Sequence, residues 1–212
     1  MYYKNQKILV GAGVNCIKLS RESASRSMEG LEFFSGIPGT VGGAIRMNAG
    51  AFGSEMSEVL TQAKAVNRKG EILTFERDEM DFDYRHNGCP NDLIFISAIV
   101  SGRSEDPVLI AKRMLEVNSE RNVSQPIKAR TGGSTFKNPI KQTDEKVWKL
   151  IKKSVPLDTK FGDAEISNKH CNFFVNKNNA TFKDMKNLIE FVKKNVKLKT
   201  GINIETEIEI IQ

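Results

Sequence analysis

Cysteine is scarce in this sequence: Cys16, Cys89 and Cys171 are odd in number, far apart and never in a Cys-x-x-Cys pair. That gives no disulfide framework and no zinc motif, and it fits a reducing cytoplasm. Histidine is scarcer still. His86 and His170 stand alone without clustered ligands, so no metal site is expected. No apolar run approaches bilayer length and no signal-type region opens the chain, so no membrane span is expected. Internal repeats and low-complexity tracts are also missing. The formal charge is +6, with lysines crowding the C-terminal half. They stand singly among Asn and Glu, without the aromatic-rich basic stripe of a nucleic-acid groove; an anionic small substrate or plain solubility remains open.

Glycine, by contrast, is concentrated. Six glycines fall in the nineteen residues from Ser35 to Gly53, with Pro38 and almost no charge. Glycine lets a backbone or a ligand approach closely because no Cβ intervenes. The other residues are Ile, Val, Ala, Met and Phe, whereas flexible linkers favour Ser and charge. The stretch therefore reads as a buried backbone wall against a flat or phosphorylated ligand, supplying N–H donors. It lacks the lysine of a Walker loop. Pro38 and Ala44 break the dinucleotide fingerprint, and no amphipathic helix is expected behind it.

Along the chain, Lys7 to Val14 reads as a short apolar strand running into glycines, and Ser23 to Gly30 as a short helical turn with a glycine cap. Val59–Val66 and Glu71–Phe75 flank Asn67-Arg68-Lys69-Gly70, the pattern of a β-hairpin. Leu93 to Val100 is continuously apolar, which predicts a strand buried on both faces. Asp106-Pro107 opens a helix carried through Leu109, Met114, Leu115 and Val117, with a loop from Ser119. Glu145 to Ile151 predicts a short helix and Asn172 to Asn176 a strand. Thr181 to Asp184 has capping-box spacing. Phe182, Met185, Leu188, Ile189, Val192 and Val196 then line one helix face, and Gly201 lies past its end. Ile202, Ile204, Ile208 and Ile210 alternate in a final strand, which puts Glu205, Glu207 and Glu209 on its other face. The interspersed elements make the class α+β, with a boundary between residues 1–103 and 104–212.

Read alone, the chemistry-bearing residues leave alternatives open. Arg85, after Tyr84 and the acidic Asp81 and Asp83, fits a surface ion pair as well as an active site. Thr131 to Pro139 is rich in turn-forming residues. The three glutamates suit a solvated face.

Three motifs in order tip the balance. Gly-Ile-Pro-Gly-Thr-Val-Gly-Gly-Ala with Met-Asn-Ala-Gly-Ala-Phe-Gly, then Tyr84-Arg85, then Gly133-Ser134-x-Phe136-Lys137-Asn138-Pro139 resemble the UDP-N-acetylenolpyruvoylglucosamine reductase family, FAD-dependent enzymes of peptidoglycan precursor synthesis. The resemblance implies the C-terminal part of a PCMH-type (vanillyl-alcohol-oxidase-like) FAD-binding domain over residues 1–103, followed by a small α+β substrate-binding domain. It also implies FAD contacts at Gly36, Ile37, Pro38, Gly39, Thr40, Gly42, Gly43, Ala44, Asn48, Ala49 and Gly50. Arg85 and Glu207 would stabilise an enolate, Glu207 as a neutral hydrogen-bond donor, and Ser134 would donate a proton. The three are thereby expected around one reactive carbon pair beside a flavin. Tyr84, Lys137, Asn138 and His170 would contact the substrate, UDP-N-acetylglucosamine enolpyruvate, with NADPH as the hydride donor.

Two departures stand out. Asn87 replaces the family's usual serine, and Ser154 to Asp163 lacks the paired glycines and arginine usual there. The family's chain also begins before this Met1, with an N-terminal lobe that carries a second glycine-rich loop for the FAD pyrophosphate. That lobe is expected as an in-frame extension upstream of this Met1, as a separate chain, or not at all. Without it the sequence would be an inactive truncated or split-gene remnant that binds UDP-sugar weakly without retaining FAD.

Overall fold

A computed structural model describes residues 1–211. The chain divides into two compact units, Met1–Glu120 and Arg121–Gln212.

The first unit runs β1 (Tyr2–Lys4), β2 (Lys7–Gly11), α1 (Cys16–Ala24), β3 (Met28–Glu29), a 3-10 turn (Glu32–Gly36), α2 (Val41–Arg46), β4 (Gly50–Ala51), β5 (Ser54–Glu55), α3 (Met56–Val59), β6 (Leu60–Val66), β7 (Ile72–Glu76), a second 3-10 turn (Arg77–Met80), β8 (Ile94–Ser101), β9 (Arg103–Ser104) and most of α4 (Pro107–Ser124), whose last turn falls past the division. Its main sheet has the order β1-β2-β8-β6-β7, antiparallel throughout. The β6–β7 hairpin appears where the sequence places it. Asn67 Oδ1 accepts from the backbone N–H groups of Lys69 and Glu71, and Gly70 takes the left-handed φ of 82°.

Strand β8 is covered on one face only, against the expectation of two. Phe95, Ala98 and Val100 are buried, while Ile94 is 64% exposed and Ile96 39%. An antiparallel sheet needs cover on one side alone, so a continuous apolar run does not prove a central position. The buried face meets Leu19, Leu31, Phe34, Val41, Ile45 and Met56 in a single core.

The helical turn expected over Ser23 to Gly30 lies earlier. Helix α1 begins at Cys16 because Asn15 caps it, its Oδ1 accepting from Ile17 and Lys18 N–H. Met28–Glu29 instead pairs with Arg103–Ser104. The glycine-rich stretch holds a further departure, since Val41–Arg46 winds into α2 with Thr40 Oγ1 accepting from Gly43 N. Helix α4 continues to Ser124, beyond the loop expected from Ser119. It buries only Ile110 fully, and Leu109 and Leu115 are exposed.

The second unit carries β10 (Thr131–Ser134), α5 (Val147–Ser154), β11 (Lys160–Phe161), β12 (Ala164–Ile166), β13 (Phe173–Asn176) and α6 (Phe182–Thr200), with the sheet ordered β10-β13-β12-β11. The capping box is present: Thr181 Oγ1 accepts from Asp184 N, and Asp184 Oδ2 accepts from Thr181 N. Gly201 closes α6 at a φ of 75°. Leu188, Ile189, Val192 and Val196 pack with Leu150, Ile151 and Phe174, while Phe182 is exposed.

The final strand does not form. Residues 202–211 make one isolated bridge, Phe136 to Thr206, flanked by Lys137 N to Glu205 O and Glu207 N to Thr135 O. Alternating isoleucines satisfy the β pattern, but the partner strand β10 ends at Ser134, so no longer ladder is available.

Candidate active site

In the first unit, the glycine-rich stretch rests on the turn after β2. Gly42 N donates to Ala12 O at 2.8 Å and Val41 N to Val14 O at 2.9 Å. Gly39 N donates to Ile37 O, Gly43 N to Thr40 Oγ1 and Ala44 N to Thr40 O. These N–H groups, expected to face a ligand, are bonded within the chain, to the carbonyls of Ala12 and Val14 and in the turn and cap that open α2. At Gly39 and Gly43 the stretch also leaves room beside its backbone. A Cβ on Gly39 would meet nothing nearer than Ile37 Cγ2 at 4.0 Å, and one on Gly43 nothing nearer than Thr40 Oγ1 at 3.6 Å. Gly11 and Gly13, in the turn bonded to it, have nothing within 4 Å. These two glycines were not singled out in the sequence, although a Gly-x-Gly directly after a strand was a readable signal.

The residues proposed for FAD divide by position. Pro38, Thr40 and Gly43 lie at the surface, and Ile37, Gly39, Gly42, Ala49 and Gly50 are half-buried. Gly36, Ala44 and Asn48 turn inward. The space a Gly36 side chain would take is filled by the Phe52 ring at 2.9 Å and Val117 at 3.0 Å. Asn48 has no exposed surface, and its amide is bonded to Glu55, Asp83 and Ser57.

Arg85 sits near the tip of a tight hairpin. Asp83 and His86 exchange backbone hydrogen bonds, both at 3.1 Å, and Arg85 takes a left-handed φ of 54°. Its guanidinium donates to Gly50 O at 2.8 Å and to Asn48 O at 3.4 Å, and it lies 5.0 Å from the Tyr84 ring centre. The family's usual serine is replaced by Asn87, which is buried. Its Nδ2 donates to Ile45 O and Arg46 O, and its Oδ1 accepts from Cys89 N, so it ties this loop to the end of α2.

In the second unit, one asparagine organises the loop after β10. Asn172 O accepts from Thr135 N at 2.7 Å, while its amide bonds both backbone groups of Phe136. This role of Asn172 was not read from the sequence, where it only opened a strand. Ser134 ends β10 opposite Phe173. The bond from Glu207 N to Thr135 O, at 2.8 Å, brings the Glu207 backbone beside that of the Ser134 loop. Asn138 Oδ1 accepts from Val147 N at 3.0 Å, so the first turn of α5 orients its amide. Lys137 follows Phe136 in the same loop, its N–H bonded to Glu205 O.

His170 Nδ1 accepts from Asn172 N at 3.2 Å, and its ring meets Phe173 edge-on, centroids 5.0 Å apart. Burial lowers its pKa below the ordinary histidine value, which favours the neutral ring. With Nδ1 accepting, the proton of that ring is on Nε2. Among the described residues no group of three or more His, Cys, Asp or Glu could hold a metal, and no helix is long and apolar enough to cross a membrane.

Comparisons with known proteins agree with this division. Residues 125–211 match the family model "UDP-N-acetylenolpyruvoylglucosamine reductase, C-terminal domain", and residues 3–76 match "FAD binding domain". A UDP-N-acetylenolpyruvoylglucosamine reductase of Pelagibacter ubique is 50% identical over 208 residues, covering 98% of this chain and 69% of the relative. That of Nitrobacter winogradskyi is 44% identical over 201 residues, covering 95% of this chain and 65% of its own length. The crystal structure of the Thermus caldophilus reductase superposes with a TM-score of 0.83 at 32% identity, covering 98% of this chain and 73% of that one. The chain thus spans about two thirds of the length of the curated relatives it matches. It belongs to the UDP-N-acetylenolpyruvoylglucosamine reductase family, whose FAD-binding and C-terminal domains its two matched segments represent.

Proposed function

We propose that this chain carries out, in the cytoplasm, the NADPH- and FAD-dependent reduction of UDP-N-acetylglucosamine enolpyruvate to UDP-N-acetylmuramate. The observation that supports it most is the pairing in the second unit. Backbone bonds from Lys137 to Glu205 and from Glu207 to Thr135 set a carboxyl-bearing segment beside the Ser134 loop.

The cofactor residues fit a flat ring. A Cβ position on Gly11 or Gly13 has no neighbour within 4 Å, and on Gly39 or Gly43 it meets only Ile37 or Thr40 at ordinary contact distance, so a planar group can lie against this backbone. Pro38, Gly39, Thr40 and Gly43, with Gly11 and Gly13, would hold that ring. A bound FAD would supply the hydride chemistry at the terminal enolpyruvyl carbon, with NADPH as the donor.

This chain's own groups then do the rest. Arg85, a permanently charged planar donor, meets the enolpyruvyl carboxylate and the negative charge that develops beside it. Glu207 assists that stabilisation. The Ser134 hydroxyl gives its proton to the carbon next to the one that receives hydride. A hydroxyl is a weak acid in water, so Ser134 must be held close and aligned to act. Nε2–H of His170 offers a donor to a substrate oxygen, and Tyr84, Lys137 and Asn138 complete the substrate contacts.

The internal use of the glycine-segment N–H groups favours a second reading. Donors for the FAD pyrophosphate then come from a separate chain, or the protein holds UDP-sugar weakly and does not retain FAD. Incubation with FAD followed by desalting and an NADPH oxidation assay separates the two. The first reading expects yellow protein whose NADPH consumption depends on the enolpyruvyl sugar. The second expects colourless protein that binds UDP-sugar and consumes nothing.

A further inference from the structure

Asn48 is fully buried, and a φ of 40° places it in the left-handed region. Its Nδ2 donates to Glu55 Oε1 at 2.8 Å and to Asp83 O at 3.1 Å, and its Oδ1 accepts from Ser57 N at 3.0 Å. Ser57 Oγ donates to the same Glu55 oxygen at 2.7 Å. One amide therefore joins three pieces of backbone: the end of α2, the start of α3, and the root of the Asp83–His86 hairpin. Its own carbonyl and that of Gly50 accept from the Arg85 guanidinium. Asn48 thus grips Arg85 at two points, through the hairpin that bears it and through the carbonyls that receive its side chain.

Gly50 completes the arrangement. A Cβ there would stand 2.8 Å from both Glu55 Cβ and Ser54 O, and 3.2 Å from Arg85 Nη1. The guanidinium is a rigid planar fork, so two carbonyl bonds from one short stretch of backbone fix its plane as well as its position.

We infer that Asn48 is a positioning residue for Arg85: its side-chain amide sets the plane and placement of the guanidinium. This rests on the role given to Arg85 above. The family resemblance implies an FAD contact at Asn48, but its side-chain amide is taken up by Glu55, Asp83 and Ser57. A purely structural amide would hold the loop without influence on what Arg85 recognises, and the two cases are separable.

Asn48→Gly removes the amide while tolerating the left-handed φ. Asn48→Asp keeps the shape and the acceptor but cannot donate to Glu55 or Asp83. The first readout needs no ligand. In nitrogen-15 NMR of the full chain, the guanidinium resonances of Arg85, assigned by their loss in Arg85→Lys, are expected to be resolved in the parent and averaged in both Asn48 variants. The second readout is calorimetric binding of UDP-N-acetylglucosamine enolpyruvate against UDP-N-acetylglucosamine, which lacks the carboxylate. The parent is expected to prefer the first by about tenfold or more, from a charge-assisted bidentate contact. Both variants should lose most of that preference while affinity for the sugar without carboxylate stays within about twofold, since only the carboxylate contact is displaced.

Variants that keep the resolved resonances and the preference overturn the inference. Variants that weaken both ligands equally do the same, and so does failure of both variants to fold, which would assign Asn48 to stability alone. A parent with no preference contradicts the role given to Arg85 instead, and the resonances still decide whether Asn48 holds it.

Discussion

Asn172 grips Phe136 by both of its backbone groups. Oδ1 accepts from Phe136 N at 3.0 Å and Nδ2 donates to Phe136 O at 2.9 Å, so a single side chain replaces a pair of ladder bonds. Phe136 in turn bridges Thr206, which puts the Ser134 loop and the Glu207 segment on one anchor. Both residues are nearly inaccessible, so neither Phe136 group has water as a substitute.

Asn172→Ala is therefore expected to destabilise the second unit by about 3 kcal/mol, from two buried groups left without partners. The single tryptophan, Trp148, lies in that unit and reports its unfolding in denaturant by fluorescence. A loss below about 1 kcal/mol, the net worth of one ordinary hydrogen bond, would contradict the clamp.

The helix cap of α6 gives a second expectation. Thr181→Ala should cost about 1 kcal/mol, the usual loss for an N-cap threonine. The backbone bond from Thr181, then its hydroxyl bond, hold the Asp184 pKa below the usual carboxylate value. A depressed folded value means that the stabilisation is complete above the unfolded pKa of about 3.9 and fades as pH falls through the folded one. Acid titration of unfolding should show a shallower acid-side decline in Asp184→Asn than in the parent. Identical slopes would argue against the box.

His170 works in the same sense at higher pH. Burial disfavours its charged form, so the unfolded chain binds the proton more readily. Stability should then be highest above the unfolded value of about 6.5 and fall as pH drops through it, levelling below the folded pKa. In His170→Gln this part of the pH dependence should vanish, as read from melting temperature against pH. A slope that survives would place the titration elsewhere.

Cys16, Cys89 and Cys171 are all buried, and burial pushes the Cys16 thiol up to about 12. Desolvation also raises the other two. The thiolate is the reactive form, so native protein should react slowly with a thiol reagent at neutral pH and titrate three thiols only when unfolded. A fast native equivalent would contradict this.

Local chemistry was legible wherever a short pattern fixes a backbone shape. The Asn67 to Gly70 turn, the Thr181 to Asp184 box and the Gly201 cap each follow from neighbours in sequence. What the sequence hides depends on partners distant along the chain. The exposure of Ile94 and Ile96 depends on which face of the sheet the helices cover, and the absence of a strand after Ile202 depends on where β10 stops. The committed amides of Asn48 and Asn172 are equally invisible, because their partners lie up to 35 and 36 residues away. Motif identity singled out Arg85, Ser134 and Glu207, yet these three lie in two compact units, so only the Ser134 loop and the Glu207 segment are joined by bonds within one unit.

Separate timing of the two half-reactions in flavin-loaded Ser134→Ala probes the proposed chemistry most directly. Flavin reduction by NADPH should proceed as in the parent, because it needs no proton from Ser134. Reoxidation by UDP-N-acetylglucosamine enolpyruvate should slow by about 10²–10⁴-fold, the range for loss of a positioned proton donor. Reoxidation at the parent rate would show that Ser134 gives no proton to the product.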